Sequence, residues 1–150
     1  MPHKVLVIHG PNLNMLGRRE PAVYGAKTLA EINQEMTEYA RQLGITLTAF
    51  QSNHEGEIVE TIQAAWDEYQ GLIINPAAYT HTSVAIRDAI LTFGMPVIEV
   101  HLSNIYKREP FRHQSTLADI VTGQISGFGA KGYALALSAM AELIQDAAKP

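Results

Sequence analysis

Apolar runs alternate with stretches of helical periodicity along the whole chain. Residues 4–9 (KVLVIH), 72–75 (LIIN) and 97–101 (VIEVH) are mostly apolar, as strands buried on both faces of a parallel sheet are. Residues 45–50 (ITLTAF) alternate instead, which predicts an edge strand; residues 121–126 (VTGQIS) are a weaker fifth candidate. Four helices fit between and after them. In the first, Leu29, Ile32, Met36, Ala40 and Leu43 form one stripe, Thr28 and Glu31 make a capping box, and Gly44 marks the stop. The second puts Ile58, Val59, Ile62, Ala65, Trp66 and Tyr69 on one face, with Ser52 and Glu55 at its start and Gly71 at its end. A third runs from about residue 82 to 93 and is closed by Gly94 and Pro96. The last covers residues 130–148 with Tyr133, Leu137, Met140 and Ile144 inward.

Strands that alternate with helices through short links make an α/β fold, a parallel sheet with helices on both faces. Right-handed crossovers limit the strand orders, and 2-1-3-4-5 is the common five-stranded solution. That order puts the alternating second strand at an edge and makes the first, third and fourth strands neighbours. No linker, repeat or low-complexity segment interrupts the pattern, so residues 1–150 read as one domain.

Composition narrows the chemistry. There is no cysteine, which removes disulfide scaffolds, thiol nucleophiles and Cys-type zinc sites. No apolar run approaches the roughly 20 residues needed to cross a bilayer, and the first residues read directly as a strand, so the expectation is a soluble, cytoplasmic domain without membrane contact. Eleven Lys and Arg against fifteen Asp and Glu give a net charge of −4, a poor footprint for nucleic acid. Yet Arg18, Arg19, Lys107, Arg108 and Arg112 fall in two short segments. Basic loops on an acidic protein point to a small anionic ligand, or to solvated loop charge.

Ligands of open parallel sheets bind beyond the carboxyl ends of the strands. After the first strand comes His9-Gly10-Pro11-Asn12-Leu13-Asn14; the third leads into Asn75-Pro76-Ala77-Ala78-Tyr79-Thr80-His81; the fourth into His101-Leu102-Ser103-Asn104 and then Arg108 and Arg112. Any one of these groups can be a loop-fixing hydrogen bond, but three polar clusters on neighbouring strands converge on one crevice. The loop through residues 17–25 is long for a strand–helix connection, as lids are. It carries Arg18, Arg19 and Tyr24, the parts of an activated phenol: a free phenol titrates near about 10, and an adjacent cation lowers that by roughly 1–3. A tyrosine that merely packs the loop down is the bland alternative.

Other matches are weak. Gly127, Gly129 and Gly132 satisfy GxGxxG, but the chain ends inside the following helix, which favours strand–helix packing over nucleotide binding. The histidines lack zinc-site spacing, and Ser103 sits in no GxSxG elbow.

Gly10-Pro11-Asn12-Leu13-Asn14, Arg19-Glu20-Pro21 with Tyr24-Gly25, Asn75-Pro76 through His81, Glu99 through Asn104, Arg108 through Arg112, and Gly127-Phe128-Gly129 with Gly132-Tyr133 resemble type II 3-dehydroquinate dehydratases, in order and over essentially the whole chain. Ala77 stands where many relatives have glycine, and Gln114 where histidine is frequent. The resemblance implies a flavodoxin-like three-layer sandwich and dehydration of 3-dehydroquinate to 3-dehydroshikimate, in aromatic biosynthesis (the shikimate pathway) or quinate breakdown, with no metal and no cofactor. It implies Tyr24 as the general base in tyrosinate form, Arg19 as the cation that activates it, Asn12 as holder of a water on the enolate oxygen, and His101 as the general acid. Asn75, Ser103 and the backbone at Leu102 would receive the substrate carboxylate, and His81 and Arg112 the ring hydroxyls. Asp88 would reach a neighbouring subunit's site in a homododecamer built of trimers. The rival is a non-catalytic module of the same fold that binds a small anion or nucleotide.

Overall fold

A computed structural model describes residues 2–18 and 20–149 of the chain. Five parallel strands, β1 (His3–His9), β2 (Ile45–Gln51), β3 (Gly71–Asn75), β4 (Val97–His101) and β5 (Gly123–Ser126), lie in the order β2-β1-β3-β4-β5. The helices are a four-residue α1 (Pro21–Tyr24), α2 (Leu29–Gln42), α3 (Glu55–Ala64), α4 (Val84–Phe93) and α5 (Lys131–Ala147). The expected α/β fold and strand order are present, with the alternating strand at the edge.

Because successive strand residues face opposite ways, the sheet builds two cores. Val5, Val7, Ile73 and Val100 pack with Ile32 and Met36 of α2 and Tyr133, Leu137 and Met140 of α5. Leu6, Ile8, Leu72, Ile74 and Val97 pack on the other face with Ile58 and Ile62 of α3 and Ile86, Ile90 and Phe93 of α4. Every residue of β3 and β4 is buried, and each fully buried aliphatic side chain contributes about 1.5–3 kcal/mol. The same alternation sends His9 and Asn75 toward α2 and α5, and Glu99 and His101 toward α3 and α4.

Three boundaries differ from expectation. The second helix ends at Ala64, and Asp67 takes a left-handed φ of 62°, so Trp66 is 64% exposed instead of inward. Gly71 opens β3 and does not cap a helix: a Cβ there would lie 2.4 Å from the Met140 sulfur, so the glycine admits α5 to the sheet. Val121 packs on the second core from a loop, and β5 begins at Gly123. The α2 cap is as expected: the Thr28 side chain accepts from the Glu31 N–H at 3.2 Å, and Ser83 caps α4 in the same way.

Candidate active site

The carboxyl ends of β1, β3 and β4 surround a cleft of about 480 Å³ of empty space, part of it open to solvent. Gly10 brings two of these ends together. Its N–H donates to the Asn75 carbonyl at 2.8 Å, and a Cβ at this position would sit 2.4 Å from the Pro76 carbonyl oxygen, a contact no side chain survives. Asn12, Tyr24, Asn75, His81, His101, Leu102, Ser103 and Arg112 all line the cleft, and so does Arg108. Asp88 does not; it lies exposed on α4. Arg19 lies outside the described residues.

His101 is fixed by Glu99, two residues earlier and therefore on the same face of β4. Its Nε2 lies 2.6 Å from Glu99 Oε2. The carboxylate also accepts from the Thr80 hydroxyl at 2.6 Å, from the Ser115 hydroxyl at 2.8 and 2.9 Å, and from the Gln124 amide at 2.9 Å. Glu99 is wholly buried, and a buried charge persists only when paired and hydrogen-bonded. Burial alone would raise its carboxyl, but the hydrogen bond and charge of His101, with the Thr80 and Ser115 hydroxyls, outweigh that and hold it below the usual carboxylate range. With Nε2 committed to Glu99, Nδ1 is the ring nitrogen that His101 can offer a ligand.

His81, across the cleft lining, is held by a backbone carbonyl instead. Its Nδ1 donates to the Gln114 carbonyl at 2.8 Å, and burial, aided by the charges of His101 and Arg112, lowers its affinity for a proton. The neutral ring then presents Nε2 as an acceptor. Arg108 and Arg112 are 17% and 21% exposed in their side chains and share one carboxylate, Glu109, at 3.9 and 3.2 Å. Two guanidiniums against one carboxylate leave net positive charge beside the cleft, poorly screened because the groups are largely shielded from water. The Arg108 guanidinium also lies 5.3 Å from the centre of the Tyr24 ring, within cation–π range.

The backbone contributes donors. The carbonyls of His101, Leu102 and Ser103 accept from the Gly127 N–H, the Gly129 N–H and the Ser126 hydroxyl, at 3.2, 2.9 and 3.1 Å. In a planar trans peptide the N–H opposes the C=O, so with the His101 carbonyl turned to β5 the Leu102 N–H turns toward β3, the side of the cleft. Asn12 has a left-handed φ of 69°, a conformation asparagine tolerates, and its N–H donates to the Asn53 side chain at 3.0 Å. Asn53 also accepts the Tyr79 hydroxyl at 2.8 Å, so the end of β2 braces both loops. Ala77 has φ 53°; the Asn75 Oδ1 accepts its N–H at 3.0 Å and holds the strained turn.

Sequence reasoning gave Glu99 no role, although one acid in an otherwise apolar strand, two residues before a histidine, was the available signal. Arg108 was placed among the strand-end groups and in the family-like motif but given no role of its own. Among the described residues, no three or more His, Asp or Glu side chains gather as a metal site would need, and no helix is long and apolar enough to cross a membrane. Gly132 packs against Val100 and Ile125, while Gly127 and Gly129 take positive φ of 97° and 61° in the turn before α5.

Set against known proteins, residues 3–141 match the family model described as dehydroquinase class II. A Bordetella avium protein named 3-dehydroquinate dehydratase is 60% identical over 138 residues, 91% of this chain and 96% of its own length. Another of that name from Gloeothece citriformis is 56% identical over 143 residues, 95% and 94% of the two chains. The crystal structure of a type II dehydroquinase from Propionibacterium acnes superposes with a TM-score of 0.92 at 45% identity, covering 95% of this chain and 98% of that one.

Proposed function

The chain belongs to the class II dehydroquinase family, a family of hydro-lyases, and from that premise we propose that it converts 3-dehydroquinate to 3-dehydroshikimate by a stepwise elimination with Tyr24 as base and His101 as acid. The observation that carries this reading is that the two side chains line one positively charged cleft, with His101 already paired to a buried carboxylate. An enzyme-family chain with that arrangement leaves the non-catalytic module without support.

In the proposed reaction the Tyr24 phenolate takes a proton from the carbon alpha to the ketone, which becomes an enolate. The C–O bond to the C1 hydroxyl then breaks as His101 Nδ1–H gives its proton, and water leaves with the ring conjugated. Glu99, in contact with Nε2, fixes the ring so that Nδ1 is the nitrogen left for the substrate, an orienting role of the kind acid–base pairs use. Arg108 sets a positive charge over the Tyr24 ring; Arg19 joins it on the strength of its motif alone, as does Asn12 as holder of a water on the enolate oxygen. The substrate carboxylate is received by Asn75, Ser103 and the Leu102 N–H. Neutral His81 accepts from a ring hydroxyl, and Arg112 donates to another.

Asp88 completes a neighbouring subunit's site in this reading. Its exposed place on α4, away from its own cleft, supports that role. The dodecamer of trimers, the cytoplasmic location and a place in the shikimate pathway or in quinate breakdown belong to the same proposal. The test is direct: purified protein mixed with 3-dehydroquinate should produce conjugated-enone absorbance at a rate proportional to enzyme. Well-folded protein that produces none would overturn the reading.

A further inference from the structure

Two fully buried polar side chains take no part in the reaction above: His9 at the end of β1 and Tyr133 in α5. The register pairs His9 directly with Asn75 of β3, and both face α5, where the Tyr133 hydroxyl lies 3.1 Å from His9 Nδ1 and 3.0 Å from Asn75 Nδ2. His9 Nε2 in turn lies 2.8 Å from the side-chain oxygen of Asn33 on α2.

The direction of this chain is forced from one end. A backbone N–H can only donate, so the atom of Asn75 that meets the Ala77 N–H is its oxygen. Its amide nitrogen therefore faces Tyr133 and donates to the phenol oxygen. The single Tyr133 hydroxyl hydrogen is then left for His9 Nδ1, which must be the unprotonated ring nitrogen; the proton is on Nε2 and goes to Asn33. Burial agrees: it pulls His9 down to about 4 and pushes the Tyr133 phenol well above its usual range, so both are neutral at working pH.

We propose that Tyr133 and His9 are positioning residues which lock the Asn75 amide in one orientation, so that it presents the cleft with an N–H donor and selects a ligand oxygen that accepts. A flipped amide would set oxygen toward the substrate carboxylate and nitrogen against the Ala77 N–H. The proposal rests on the reading of Asn75 as a substrate-binding residue.

The test is steady-state kinetics with 3-dehydroquinate on Tyr133→Phe, Asn75→Ala and the double variant, with wild type alongside. Tyr133→Phe should raise KM about tenfold, the effect of one lost hydrogen bond, with kcat within about threefold, and should add no further rise in the Asn75→Ala background. An unchanged KM, or the same rise in both backgrounds, would overturn the proposal. If Tyr133→Phe does not fold, His9 decides. His9→Asn keeps an acceptor where Nδ1 was and should hold KM near wild type, whereas His9→Leu should raise it. Equal effects of the two would refute the lock. Wild-type protein that fails to turn over 3-dehydroquinate would instead sink the functional reading beneath it.

Discussion

The two halves of the cleft are held in different ways. On the strand-end side, Glu99 and His101 are buried in a network of five side chains, and the loop after β4 is tied to the end of β5 and the turn that follows it through three successive carbonyls. On the other side, Tyr24 sits at the end of the four-residue α1, which contains no buried residue and is flanked by left-handed Glu20 (φ 39°) and Gly25 (φ 90°). In the proposed reaction the acid is built into the sheet and the base rides on an exposed segment. The division follows from chemistry. A charged imidazole needs a permanent counter-charge in a dry site, whereas a base that must meet a carbon acid after the ligand enters is better placed on a segment able to close over it.

That contrast predicts separable effects. Tyr24→Phe should lower kcat about 10³-fold or more, in the upper part of the range for losing a general base, while urea unfolding shifts by less than about 1 kcal/mol because the residue is half-buried on an exposed helix. Loss of stability comparable to the loss of rate would break the contrast. On the sheet side, acid should unfold the protein through His9. Its folded-state value is lowered to about 4 from an ordinary 6.5, so between those pH values the unfolded chain binds a proton the folded one refuses. Stability then falls as pH drops, by about 1.4 kcal/mol per pH unit and about 3 kcal/mol over the window. Denaturant titrations across this range should show the slope in wild type and a flatter one in His9→Asn. Glu99 acts in the same sense at lower pH, because a carboxyl held below its ordinary range loses its contribution as pH falls through the folded value.

Glu99→Gln should affect both properties at once. Its amide would set N–H groups against donors that now meet a carboxylate, which removes charge-assisted bonds each worth about 1.5–3 kcal/mol. We expect kcat to fall roughly 10- to 100-fold and stability by about 2 kcal/mol; an unchanged rate would mean that His101 needs no counter-charge. The smallest effect is Ala77→Gly, which relieves a left-handed alanine and should stabilise by about 1 kcal/mol in thermal or urea unfolding, with kcat unchanged.

The sequence made the sheet legible because burial on two faces and burial on one leave different patterns: KVLVIH and LIIN against ITLTAF. It misled at Trp66, where apolar periodicity runs on past the end of α3. No glycine or proline marks that stop, which is made by Asp67 in a left-handed turn. The cleft residues were legible as strand-end clusters, since topology alone brings those ends together. The roles of His9 and Tyr133 were not: 124 residues separate them, and only the strand register and the seating of α5 create the contact. Asp88 carried no local signal either, for its face of α4 meets nothing within its own cleft.

In the proposed stepwise reaction the exposed half removes a proton before the buried half expels water. Incorporation of deuterium from D2O at the alpha carbon of 3-dehydroquinate, followed by NMR with His101→Asn and Tyr24→Phe enzymes, separates the two steps. His101→Asn should show enzyme-dependent exchange without dehydration, and Tyr24→Phe neither. Exchange that survives in Tyr24→Phe and vanishes in His101→Asn would contradict this mechanism.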